Sequence, residues 1–255
     1  MLKIDCSVIL NVYRRPHMLN RQIEAVLNQT VGIDPDNIHV WYNPSGVFQD
    51  IPKNRKVKTY ESNWNTKFFG RFTIPLLCRT EYIAVFDDDN LPMPGWIESC
   101  LNVINKDATN GILGGTGVTI LSKELRTNSG VTRMPIEKVG WNGSHLDETA
   151  RVDYVGQTWF FRRKWAKYMW YEDPFSWDNG EDIMFSYLSQ KYGNINTFVP
   201  PHPEANPEVW STDFKTAWDE GRDRHASWRL KNHTGTRDDV HRYCIEHGWK
   251  TVREL

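Results

Sequence analysis

Apolar and polar positions along this chain repeat with two periods, and their alternation predicts the fold. Residues 6–13 (CSVILNVY) form a nearly continuous apolar run, the pattern of a strand buried on both faces. Pro16 then opens a segment whose apolar residues Leu19, Ile23, Val26 and Leu27 share one helical face. Residues 37–43 read as a second strand ended by the turn Pro44-Ser45-Gly46, and residues 56–60 as a short third. Residues 68–77 suit a helix, residues 81–86 a strand, and Pro94 opens a helix reaching about Ile104. Strands alternating with helices predict an α/β fold, its mostly parallel central sheet sandwiched by helices.

The second half is less regular. Residues 111–121 read as a strand with glycine-softened edges, and the polar, glycine-containing residues 122–150 as an inserted loop. Residues 152–163 read as a strand. Residues 179–193 form a turn feeding a helix, on which Met184, Leu188 and Tyr192 recur every four positions. Residues 195–199 return as a strand into Pro200-Pro201-His202-Pro203. From Trp210 onward the chain is polar and helical in character. With no internal repeat, the organisation expected is one main domain over 1–209 and a helical extension over 210–255 packed on it.

Composition narrows the function. The chain has 255 residues, 39% hydrophobic and 25% charged, with a net charge of −1, so it is not built chiefly to grip nucleic-acid phosphates. Cys6, Cys78, Cys100 and Cys244 are scattered without metal-site spacing, which fits a reducing compartment. The N-terminal apolar run is too short for a signal peptide or a transmembrane segment, and a cytoplasmic location is expected. Twelve tryptophans give a heavy core or flat platforms for bases and sugar rings.

Three constellations carry chemistry. In YIAVFDDDNLP an apolar strand runs directly into Asp87, Asp88 and Asp89. Ligands of open α/β sheets sit beyond such strand ends. If the backbone stays extended, Asp87 and Asp89 point the same way and suit a hard divalent cation, Mn²⁺ or Mg²⁺; a solvated loop would also accept the triplet. Glu181 and Asp182 follow Asn179-Gly180: acids there favour the helix dipole, or one serves as general base beside a wall formed by Trp177. Asn11, Tyr13, Arg14 and Arg15 leave the first strand where a nucleotide could be met, with Arg71 a further candidate diphosphate partner; surface arginines and a core tyrosine would give the same pattern. His202 could complete a metal site. No GxGxxG or P-loop pattern is present.

The ordered set resembles GT-A-fold, family-2-like glycosyltransferases. SVILNVYRRPHMLNRQIEAVLNQT resembles their opening strand–helix unit, Asn43 the polar residue ending the second strand, VFDDDNLPMPGW the DxD region and NGEDIMFSYL the acceptor-side ED motif. The resemblance covers about residues 4–202. It implies a hexosyl- or pentosyltransferase using a nucleotide-diphosphate sugar, UDP-sugar first, and a glycan or glycoconjugate acceptor. Asp89 and Asp87 would hold the cation, Asp88 would help bind the nucleotide sugar, and Asp182 would be the base with Glu181 as substitute. A QxxRW-type motif is missing, so single addition is favoured over polymerisation; triple-Asp forms also occur in retaining families. The alternatives are a nucleotidyltransferase, disfavoured by a first strand exit without glycine, and a non-catalytic carbohydrate-binding protein.

Overall fold

The computed structural model describes residues 3–45, 57–128, 131–141 and 143–254. Gly46 of the expected turn and Lys56 of the expected third strand lie outside them, as do residues 129, 130 and 142 of the inserted segment.

Strand β1 (Cys6–Val12) is buried at every position but one because it lies inside the sheet. It pairs in parallel with β2 (Ile38–Tyr42) on one side and β4 (Tyr82–Phe86) on the other. Strand β3 (Lys58–Glu61) extends the parallel set beyond β2 and is largely exposed, as an edge strand is. The second half contributes β5 (Ile112–Ile120), the hairpin β6 (Arg126–Asn128) and β7 (Val131–Arg133), β8 (Ile136–Gly140), β9 (Ala150–Val152), β10 (Tyr154–Arg162) and β11 (Thr197–Val199). The nine-stranded sheet has the order β3-β2-β1-β4-β10-β5-β11-β9, with β8 on β5. Only β8, β9 and β10 run against the common direction, so the sheet is mostly parallel as expected.

Helices α1 (Leu19–Leu27) and α2 (Trp96–Ile104) bury their apolar faces against this sheet in one core. Helix α3 (Glu181–Gly193) divides its side chains between two cores: Phe185 enters the first, while Ile183, Met184, Tyr187 and Leu188 enter a second. Tyr192, expected on the same packed face, is instead exposed, its hydroxyl donating to Glu172. The C-terminal segment contains α4 (Phe214–Glu220) and α5 (His233–Glu246). Val240 and Cys244 of α5, with Trp249, complete the second core. Burial of each large apolar side chain contributes roughly 1.5–3 kcal/mol. The four cysteines are buried and unpaired, acting as small apolar groups. No helix among the described residues is long and apolar enough to cross a membrane.

Three local expectations are corrected. Residues 68–77 do not form an α-helix; Gly70–Leu77 is a 3₁₀ segment, because Pro75 inside it lacks an N–H and crowds the preceding turn. The segment 122–150 is not simply a loop, since it carries β6, β7 and β8; its strands are short and mostly exposed, so no apolar alternation marks them. The single strand expected over 152–163 is split at Asp153. The Asp153 carboxylate accepts the main-chain N–H groups of Ile120 and Val252, both at 2.6 Å, and the chain leaves β11 for β5 there.

Candidate active site

Strand β4 stops at Phe86, and the chain turns at once: the Asn90 N–H donates to the Asp87 carbonyl at 3.2 Å. The alternation expected of extended backbone therefore does not apply to the triplet. Asp87 goes one way, its carboxylate paired with Arg71. Asp88 and Asp89 both face Arg15, whose Nη1 lies 2.5 Å from Asp88 and 3.7 Å from Asp89. Arg15 is itself held from the far side by Asp223, at 2.9 and 3.2 Å, in the segment after α4.

The turn is locked from beneath. The Gln22 amide on α1 donates to the carbonyls of Asp87 and Asn90 at 2.7 and 3.0 Å. From β10, the Gln157 carbonyl accepts the Asp87 N–H at 3.0 Å and the Asn90 amide at 2.9 Å. Gln157 sits at a register shift of β10 with φ of 68°, a region that costs a non-glycine residue about 1–3 kcal/mol. This bulge turns its carbonyl onto the triplet and its side chain onto Thr116, 2.8 Å away.

A cavity of about 630 Å³ opens over the triplet. Every residue expected on the nucleotide side lines it: Asn11, Tyr13, Arg14, Asn43, Arg71, Asp87 and Asp88, together with Asp89. Asn43 is committed to the protein. Its amide donates to Asn65 and the Lys67 carbonyl, and its oxygen accepts the Thr66 N–H, so it shapes the wall. Arg14 lies 5.0 Å over the Tyr13 ring and contacts His225 at 3.2 Å. Much of the opposite wall is C-terminal, including Trp218, His225 and Trp228. Trp177 lines no described cavity; it packs on Trp64 and Phe69 instead.

Glu181 and Asp182 begin α3 immediately after Gly180, whose φ of 90° supplies a turn that L side chains rarely adopt. They line a second cavity, of about 860 Å³, which shares Asp87, Gln157, Lys138 and Trp228 with the first. Both acids are nearly buried, and each is met by a guanidinium. Arg71 reaches Glu181 at 3.0 Å with Nη2 while Nη1 holds Asp87, so one buried arginine joins the two motifs. Arg237 on α5 takes Asp182 in a two-pronged pair at 3.0 and 2.7 Å and also donates to Asn179 at 3.1 Å.

Charge is left over in this arrangement. Five carboxylates of the two motifs share three guanidiniums, and Arg15 carries Asp223 as well. Burial, then Asp88 and Asp87, raise the Asp89 carboxyl to about 8. Burial, then Asp182, raise Glu181 to about 7. The Asp87 pKa is also raised, chiefly by burial. An excess of negative charge that otherwise recruits protons is what a divalent cation neutralises. Asp89, with its loose 3.7 Å pair and partly open side chain, is the member of the triplet most available to one. No cluster of three or more His, Cys, Asp or Glu able to cage a metal occurs among the described residues. Magnesium-type sites completed by substrate phosphates require no such cage.

His202 is not brought to the triplet. It lines neither cavity and belongs to a three-ring cluster with His145 and Trp210, where burial lowers its pKa to about 4. The residues that sequence reasoning missed are Gln157, Asp223 and Arg237. Gln157 carries no residue-type signal, because a bulge is a property of pairing. Asp223 and Arg237 lie in the charged C-terminal stretch, where their alternation with opposite charges reads as an ordinary solvated surface.

A family model described as Glycosyl transferase family 2 matches residues 7–170. No curated protein matches the chain. Among solved structures, S. aureus TarS aligns with a TM-score of 0.51 at 15% identity, over 78% of this chain and 35% of that one. A TarS fragment, residues 1–349, aligns with a TM-score of 0.51 at 12% identity, over 78% of this chain and 60% of the fragment. At such identities the likeness is one of fold, and the chain spans only part of those proteins. The family match contains the triplet and ends before Glu181.

Proposed function

The chain belongs to glycosyl transferase family 2 and has the GT-A architecture, and we propose that it moves a sugar from a nucleotide-diphosphate donor to an acceptor hydroxyl with inversion. UDP-sugars are the first donors to try, and a glycan or glycoconjugate is the acceptor. The supporting observation is that Asp87 stands in the wall common to two cavities, with the first-strand residues in one and Glu181-Asp182 in the other. A donor in the first cavity and an acceptor in the second would meet at that wall.

Asp89 would hold Mn²⁺ or Mg²⁺ together with the donor phosphates, Asp87 joining it only where Arg71 releases its carboxylate, and the cation when bound supplies Lewis-acid stabilisation of charge on the departing diphosphate. Tyr13 and Asn11 offer the nucleotide a ring face and an amide, and Arg14 offers a cation at the diphosphate side. Asp182 is the base of this reading. It removes the acceptor hydroxyl proton as that oxygen bonds to the anomeric carbon and the bond to the diphosphate breaks, the electron pair leaving with the diphosphate. Its two-pronged partner Arg237 keeps it aimed, and Gly156 beside its Oδ2 presents no side chain to block approach. The second Glu181 oxygen is buried without a partner, out of reach of an acceptor, which makes Glu181 the substitute.

Incubation with radiolabelled UDP- and GDP-sugars tests the reading. Mn²⁺-dependent release of nucleotide is expected with at least one donor, together with loss of donor binding in Asp89→Ala. No turnover of any donor, with donor binding indifferent to Asp89→Ala, would sink it.

A further inference from the structure

The second cavity carries charges that the transfer chemistry leaves unused. Its carboxylates are engaged: Asp87 and Glu181 by Arg71, Asp182 by Arg237, and Asp238 by the Met134 N–H at 3.1 Å. Three of its cations are not. Arg126 on β6 and Arg133 on β7 stand directly opposite each other in the hairpin register, both exposed and both on the cavity wall. Like charges facing each other across paired strands destabilise the pairing. Neither arginine has an ion pair among the described residues. Lys138 on β8 lines the same cavity, likewise without one. Its side chain is open to solvent at the rim of a recess, and desolvation there, followed by Arg237 and Arg133, holds its pKa below the ordinary lysine value. Asp238 attracts Arg133 and Asp182 attracts Lys138, but neither comes within ion-pair distance, so much of the repulsion is left for a bound anion to remove.

We propose that Arg126, Arg133 and Lys138 receive an anionic group of the acceptor, so that the acceptor is a phosphorylated or otherwise acidic glycan. This rests on the reading of the second cavity as the acceptor side. Guanidinium pairs suit the oxygens of phosphate, sulfate and carboxylate groups, and two arginines on one strand pair present two such forks side by side. With a net charge of −1 the chain as a whole does not attract polyanions, so the preference is confined to this corner.

Calorimetric titration of the full chain at low salt, with and without UDP and Mn²⁺, provides the test. Glucose, glucose 6-phosphate and glucuronate serve as probes, the last two separating phosphate from carboxylate recognition. Either anionic sugar is expected to bind about tenfold or more tightly than glucose, a preference that shrinks as salt rises. The double substitution Arg126→Glu, Arg133→Glu should abolish the preference and leave UDP binding unchanged. Arg126→Glu alone turns a repulsive pair into an attractive one. It should raise the melting temperature by roughly a few degrees while weakening the anionic sugars, a combination that a merely structural hairpin does not produce. Equal affinity for the three sugars, binding of none, or a preference that survives charge reversal would each overturn the proposal. Absence of UDP binding in the unaltered chain strikes the donor reading instead, and the sugar series without UDP still decides this one.

Discussion

The acidic triplet after β4 and the acidic pair at the start of α3 solve the same problem with different partners. Each places carboxylates at the end of a buried element, and in each at least one is held tightly by an arginine while burial raises the pKa of another. In the triplet Asp88 is held by Arg15 from the first strand's exit and Asp87 by Arg71, and Asp89 is raised to about 8. In the pair Asp182 is held by Arg237 from the C-terminal helix, and Glu181, although Arg71 reaches it, is raised to about 7. Arg71 connects the two sets through Asp87 and Glu181. The difference lies in where the excess charge is exposed. Asp89 opens toward a cavity and could exchange its proton for a cation, whereas the free Glu181 oxygen is shut in. Adjacent acids of one motif are therefore not interchangeable.

The largest expected effect separates the clusters by function. Asp182→Asn should lower transfer by about 10²–10⁴-fold while Mn²⁺-dependent UDP binding stays close to that of the unaltered chain. Loss of UDP binding in this variant would make the pair part of the donor site and erase the division between the two cavities.

The next effect concerns the shared arginine. Arg71→Ala leaves buried Asp87 and Glu181 without their cation and should destabilise the fold by about 3–5 kcal/mol in urea unfolding. Adding Glu181→Gln should restore part of this, because it removes one of the stranded charges. If the second substitution made matters worse, the link between clusters would not be electrostatic.

A smaller effect is a slope. Between about pH 5 and 8 the metal-free folded state holds a proton on Asp89, and up to about pH 7 one on Glu181, that the unfolded carboxyls, with ordinary values of 3.8 and 4.5, have given up. Folding then takes up protons, so stability should fall as pH rises through this window. Buried His39, His202 and His241 and half-buried His233, lowered to about 4 or 3, contribute the opposite sign at lower pH. Their stability contribution is lost as pH falls from 6.5 toward 4, where the unfolded imidazoles protonate first. Asp89→Asn should flatten the upper slope in denaturation series at several pH values, and an unaltered slope would place the excess proton elsewhere.

The smallest effect lies between the clusters, at the bulge. Gln157→Gly relieves an unfavourable φ but loses the hydrogen bond with Thr116, and the two terms, each about 1 kcal/mol or a little more, should nearly cancel in thermal unfolding. A loss far larger than this would mean that the side chain, rather than the backbone carbonyl, holds the triplet in place.

Much of the first half was legible because its signals are local. The apolar run of β1, the helical spacing of Leu19, Ile23 and Val26, and the abrupt change from Phe86 to Asp87 each occur within a few residues, and each has its expected structural counterpart. The hairpin β6–β7 was not legible, because short exposed strands need no apolar alternation. The direction of each acid was not legible either: one turn bond at Asn90 replaced the extended geometry on which the pairing of Asp87 with Asp89 depended. His202 illustrates the converse. Its position after the last sheet strand suited a ligand, but β11 lies beyond β5 in the strand order, and the histidine is enclosed by His145 and Trp210.

By itself the sequence determined the α/β alternation, the burial of β1 and β4, and the presence of two acidic motifs in a fixed order, since these depend on residue type and short spacing. Which carboxylate meets which arginine was decided only by the tertiary structure. The antiparallel insertion of β10 between β4 and β5 puts Gln157 under the triplet, the C-terminal segment folds back to bring Asp223 to Arg15, and α5 brings Arg237 to Asp182. The partners in these contacts lie 67, 208 and 55 residues apart. At such separations only the packed chain determines how near two charges lie, and that distance, together with burial, determines whether a carboxylate keeps its proton.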